Sequence, residues 1–128
     1  MSVQLNHTIV WCSDQQRSAG FFTEIFGRPS PKPFAHFLVV ELDNGVSLDF
    51  YDDREGEVAS QHYAFLVGEN EFTSIFSRVR ERGLEYWADP ARTKPGEINR
   101  NDGGRGVYFK DPDGHLLEII TRPYGSGQ

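Results

Sequence analysis

The 128-residue chain sets 19 acidic against 13 basic side chains, a formal net charge of −6, with 38% hydrophobic residues, 13% aromatic residues and one cysteine. That balance speaks against a nucleic-acid partner. No apolar run approaches the ~18 residues of a membrane-spanning helix, and the lone Cys12 excludes an internal disulfide. With no basic flank and apolar stretch like a signal peptide at the N-terminus, the expectation is a cytoplasmic globular protein: one compact domain, or two half-size units sharing a core.

Leu5 to Trp11 is rich in β-formers and reads as a strand. Ser13 or Asp14 then caps a helix in which Phe21, Phe22, Ile25 and Phe26 recur at helical spacing until Gly27 ends it. The Pro-rich stretch Arg28 to Pro33 is a loop with room for a short edge segment. Phe34 to Leu42 reads as one long strand, turned by Asp43-Asn44-Gly45 into Val46 to Tyr51. Asp52 to Ser60 is a polar linker. The pattern then restarts. His62 to Val67 is a strand, and Asn70-Glu71 opens a helix with Phe72, Ile75, Phe76 and Val79 on its apolar face, ended by Gly83. Leu84 to Trp87 is a short strand and Asp89 to Arg105 a long polar loop. Gly106 to Lys110 and His115 to Thr121 form a closing hairpin, and the tail Gly125-Ser126-Gly127-Gln128 is expected to be mobile.

The chain therefore reads as two copies of one unit, about residues 3–52 and 60–122. Asn44-Gly45-Val46-Ser47-Leu48-Asp49 is a fainter version of Asp113-Gly114-His115-Leu116-Leu117-Glu118: a turn, then a strand with a carboxylate four residues after the glycine. His7 to His62 is a shift of 55 residues and Asp49 to Glu118 one of 69. The excess of 14 is about the length of the Asp89 to Arg105 loop, an insertion in one copy and a candidate for substrate contact. Two imidazoles and two carboxylates at equivalent places make a complete ligand set for a divalent ion such as Ni, Zn, Mn, Fe or Co. Glu118 sits mid-strand among apolar neighbours, where a charge needs a cation or hydrogen bonds. Asp49, one methylene shorter, binds directly, through water, or not at all. His36 and His115 are set aside, the first as a strand residue of unknown register and the second as a solvated residue after a turn.

The paired units, the histidine near the start of each first strand and the terminal Asp111-Pro112-Asp113-Gly114-His115-Leu116-Leu117-Glu118 resemble the vicinal oxygen chelate superfamily. Glyoxalase I, bleomycin-resistance proteins, fosfomycin-modifying thiol transferases and extradiol dioxygenases belong to it. The resemblance covers about residues 3 to 122. It implies an α+β fold of two βαβββ repeats forming a cupped mixed sheet with helices outside, and metal ligands at His7, His62 and Glu118. The fourth family position, often Glu in glyoxalases, is Asp49 here, which departs from the glyoxalase pattern. Bleomycin-binding members lack the metal set that this chain keeps.

Two functions are expected from these residues. The first is a metalloenzyme of isomerase, lyase or dioxygenase type, with the ion as Lewis acid and Glu118 or Asp49 moving a proton. The second is a non-catalytic protein that sequesters a toxic or aromatic natural product. Trp11, Tyr51, Trp87, Tyr108 and Arg105, with Arg100, are the candidate substrate-binding side chains in either case. Asn101 to Gly106 precedes a strand rather than a helix, which argues against a phosphate cradle. A homodimer is expected, because one unit leaves a sheet edge and one face to be covered.

Overall fold

The computed structural model describes residues 2–53 and 56–127. The chain divides into two compact units, Met1–Ala59 and Ser60–Gln128. The first holds β1 (His7–Cys12), α1 (Gln15–Phe26), β2 (Lys32–Phe34), β3 (Phe37–Glu41) and β4 (Ser47–Asp52). The second holds β5 (His62–Leu66), α2 (Glu69–Glu81), β6 (Tyr86–Trp87), β7 (Gly106–Lys110) and β8 (Leu116–Ile120). Both are βαβββ units. Their four-stranded sheets have the orders β1-β4-β3-β2 and β5-β8-β7-β6, with the first pair parallel and the rest antiparallel.

In the first unit, Asp14 stops β1 running on. Its carboxylate accepts the backbone N–H groups of Gln16 and Arg17, and Gly27 closes α1 in the left-handed conformation, so both ends of the helix have partners. Strand alternation sorts the sheet into two faces. Val10, Cys12, Leu38, Val40, Leu48 and Phe50 are all buried, and Phe22 of α1 lies against Phe50 with ring centroids 6.1 Å apart. The other face carries His7, Ile9, Trp11, Asp49 and Tyr51. The long strand expected from Phe34 to Leu42 is broken: Ala35 and His36 form a tight turn between β2 and β3, with Ala35 at φ 51°. An alanine in that region carries none of the Gly, Asn or Asp signal by which such turns are read.

In the second unit, Glu69 and Glu71 in the first turn of α2 and Arg78 and Arg80 in the last match the helix dipole. The helix buries Phe72, Ile75 and Val79, and Phe76 meets Tyr86 of β6 edge-on with centroids 4.9 Å apart. Val107, Phe109, Leu117 and Ile119 are buried on the helix side of the sheet. No helix of the described residues is long and apolar enough to cross a membrane.

The motif Asp111 to His115 is a structural lock. Asp111 Oδ1 accepts the backbone N–H groups of Asp113 and His115, at 2.9 and 2.8 Å. His115, expected to be solvated, is 0% exposed: its Nδ1 accepts the Gln61 N–H at 2.9 Å, tying the turn to the start of β5. Ser60 donates its hydroxyl to the Gly114 carbonyl nearby. Burial pushes the Asp111 carboxyl above its usual range, with the His115 imidazole pulling the other way.

Candidate metal centre

Register decides where the histidines and acids stand. In the first sheet Ile9 pairs with Asp49, and in the second Ala64 pairs with Glu118. Each carboxylate therefore lies opposite the residue two places beyond its histidine, on the same sheet face, so His7/Asp49 and His62/Glu118 are equivalent diagonal pairs. Among the described residues, no cluster of three or more His, Cys, Asp or Glu side chains is gathered around one point. Each unit offers one pair.

The second-unit pair is in contact. His62 Nε2 is 3.1 Å from Glu118 Oε1, and His62 Nδ1 is 3.0 Å from the Leu116 carbonyl. A carbonyl only accepts, so Nδ1 carries a proton; a carboxylate only accepts as well, so the 3.1 Å contact between Nε2 and Oε1 needs a second proton or a cation between the two atoms. Glu118 is 1% exposed although it lies on the face away from α2. Its Oε2 accepts the Tyr124 hydroxyl at 2.5 Å, and the Tyr124 and Tyr108 hydroxyls are 3.2 Å apart. Tyr108 is Glu118's neighbour on β7, and its ring stacks on His62 with centroids 5.9 Å apart. Tyr108 is pushed well above the ordinary phenol range, first by burial and then by the Tyr124 hydroxyl and the Glu118 carboxylate beside it. Tyr124 is raised as well, again first by burial.

The first-unit pair is looser. His7 Nδ1 is 2.7 Å from Asn6 Oδ1, so here too Nδ1 carries the proton and Nε2 is the nitrogen with the available lone pair. Ser47 donates to Asp49 Oδ1 at 2.9 Å, so Oδ2 is the oxygen Asp49 offers. Both residues line a cavity of about 590 Å³ with Arg28, Lys32, Phe34 and Phe37.

The donor set suits a divalent cation. Both imidazoles tie Nδ1 to a fixed acceptor and present Nε2, the arrangement that sets the tautomer of metal-ligating histidines. His62 Nε2 and Glu118 Oε1 are close enough to share one ion at bond lengths of about 2.0–2.2 Å.

The aromatic candidates fall in two places. Trp11 and Tyr51 pack with centroids 5.3 Å apart, and Phe37 meets Tyr51 edge-on at 5.1 Å; Trp11 remains 42% exposed. In the second unit Trp87 pairs with Tyr108 across β6 and β7. A cavity of about 450 Å³ lies between Tyr108 and the 89–101 loop, with Lys94, Asn99 and Arg100 on its wall, so that insertion does border a cleft. Arg105 is elsewhere. It precedes β7 by one residue and so points to the helix side, where it donates to the Glu69 side chain and carbonyl and to Thr73 Oγ1, each at 2.9 Å. Its guanidinium also lies 4.4 Å from the Phe72 ring centroid. Glu69, hydrogen-bonded by Thr121 and Arg105, is held below the usual carboxylate range. Sequence reasoning missed Tyr124, which lies beyond the last strand in a segment whose glycines read as mobile.

Tyr63 gives a pH prediction. Burial, then the Asp111 charge, raises its phenol above the ordinary value, so the folded state keeps a proton that the unfolded chain releases. Stability is therefore complete below about pH 10 and falls as pH rises from there toward the folded value. Urea midpoints measured at pH 8, 10 and 11 are expected to drop, and to drop less in Tyr63→Phe. An equal slope in the variant would remove Tyr63 as the cause.

A family model described as the Glyoxalase/Bleomycin resistance protein/Dioxygenase superfamily matches residues 4–119. Among solved structures, the chain is similar to Oxidase ChaP-H1, at 62% identity and a TM-score of 0.94, over 97% of this chain and 99% of that one. It is also similar to Oxidase ChaP-H2, at 58% identity and a TM-score of 0.96, over 100% of both chains. Among curated proteins it is 31% identical to Glutathione transferase FosA of Serratia marcescens, over 93% of this chain and 81% of that protein.

Proposed function

The chain belongs to the glyoxalase/bleomycin resistance protein/dioxygenase superfamily, and from that premise we propose that it is a divalent-metal-dependent enzyme that oxidises a small aromatic molecule. The observation that carries this reading is the His62–Glu118 pair, a buried carboxylate against an imidazole whose Nδ1 is committed to the Leu116 carbonyl. The ligands in this reading are His62 and Glu118, the pair in contact; His7 and Asp49 are the equivalent pair of the first unit. Similarity to two proteins named oxidases favours oxidation over isomerisation. When bound, the ion supplies Lewis-acid polarisation of substrate oxygens and, if it is iron or manganese, redox chemistry with O₂.

The chain's own residues do the rest. Ser47 holds one oxygen of Asp49, leaving Oδ2 to take a proton from a substrate hydroxyl in the 590 Å³ cavity. Trp11, Phe37 and Tyr51 give flat apolar surface for an aromatic ring. Trp87 and Tyr108 give a second such surface.

Sequestration without chemistry is the competing reading, since the same aromatic side chains suit a binder. Metal-stripped protein reloaded anaerobically with Fe(II), Mn(II), Ni(II), Co(II) or Zn(II) separates the two. With polycyclic phenols as probes, O₂ uptake and a changed product with iron or manganese support the oxidase. Tight binding that ignores chelator and returns the phenol unchanged would establish the binder instead. Turnover with zinc or nickel and no O₂ uptake would replace oxidation by isomerase chemistry.

A further inference from the structure

Tyr124 is 62% exposed, yet its hydroxyl reaches a carboxylate that is almost wholly buried. A tyrosine in a polar tail has no apolar reason to lie there, so something else brings it. Asp102 does so: its Oδ2 accepts the Gly125 N–H at 3.1 Å and its Oδ1 the Gly127 N–H at 3.2 Å. Ser126 N–H closes the turn on the Pro123 carbonyl at 3.1 Å. The fit at Gly127 admits no side chain, because a Cβ there would stand 2.6 Å from Asp102 Cα and 2.7 Å from its carbonyl carbon. The glycines of the tail are thus a docking device on the 89–105 insertion.

The direction of the hydrogen bonds follows from the inventory of donors. A carboxylate only accepts, so Tyr124 spends its one proton on Glu118 Oε2, and the bond between the two phenols has Tyr108 as donor. The chain runs Tyr108 to Tyr124 to Glu118, each donor strengthening the next. With Oε2 engaged by Tyr124, Oε1 is the oxygen left facing His62.

We propose that Tyr124, clasped by Asp102 through Gly125 and Gly127, is a positioning residue that fixes the Glu118 carboxylate so that Oε1 alone is presented to the metal beside His62. This rests on the reading of His62 and Glu118 as ligands. An outer partner of a ligand is worth about 10–100-fold in metal affinity. Removing the clasp without touching Tyr124 should act in the same direction but more weakly.

The test uses the untagged full chain, stripped and titrated with Co(II) by calorimetry, with the visible cobalt absorption recorded alongside. His62→Ala, which probes the ligand reading, is expected to abolish binding. Tyr124→Phe is expected to weaken it about 10–100-fold and to shift the cobalt bands, with the far-ultraviolet spectrum and melting profile kept. Asp102→Ala and Gly127→Ala are expected to weaken it less. Adding Gly127→Ala to Tyr124→Phe should cost little more than Tyr124→Phe alone, since both remove one interaction. If Tyr124→Phe binds cobalt as tightly as the parent with unchanged bands, while His62→Ala does not bind, the positioning role is overturned and the ligand reading stands. If His62→Ala binds as the parent does, the ligand reading fails and the inference with it.

Discussion

Glu118→Gln is expected to weaken divalent-metal binding at least ~100-fold, beyond the loss typical of an outer partner, while leaving the metal-free protein as stable as the parent or more so. The two effects have opposite signs for one reason. Glu118 is a charge held at 1% exposure, a costly situation without a cation. The amide is the same size and neutral. Its oxygen still accepts the Tyr124 hydroxyl, and its NH₂ then faces His62 Nε2 and occupies the lone pair that an ion needs. Thermal melts with and without metal read both effects. At a metal concentration 100 times Kd the parent gains about 2.7 kcal/mol, and the variant should gain almost nothing. A variant stabilised as much as the parent would show that Glu118 is not a ligand.

The second large effect is expected at the turn between β7 and β8. His115→Ala should cost about 2–5 kcal/mol, because it empties a fully buried imidazole site and strands the Gln61 N–H that Nδ1 now accepts. Urea denaturation measures the loss, and a shift below ~1 kcal/mol would refute the lock. Since Gln61 immediately precedes His62, the same variant should also loosen metal binding. His115→Asn, which keeps an acceptor, is expected to recover part of the stability.

Alternation and capping made most of the fold legible. The β-formers from Leu5 to Trp11 marked β1, and Ser13 or Asp14 and Gly27 marked the two ends of α1. The equivalence of His7 with His62 and of Asp49 with Glu118 also came from spacing, and the register of the two parallel pairs matches it. What could not be read depended on contacts remote in sequence. His115 follows a turn, and its inward rotation is decided by Gln61, 54 residues earlier. Arg105 differs from Tyr108 in strand parity, which becomes visible once β7 has a register; that parity sends it to Glu69 rather than to the His62–Glu118 pair. Tyr124 was hidden because Gly125 and Gly127 look like flexibility until Asp102 is seen against them.

The parallel pairing of β5 with β8 also has a consequence for how the chain folds. β7 and β8 are joined by a five-residue turn and can pair locally, whereas the contact from His62 to Leu116 closes a loop across 54 residues. Loop-closure entropy and contact order place such a pairing late. His62 and Glu118 are therefore expected to meet as one of the last events of folding. In pulse-labelled hydrogen exchange, amides of β7 and β8 should gain protection before those of β5, with metal affinity appearing only in the final phase.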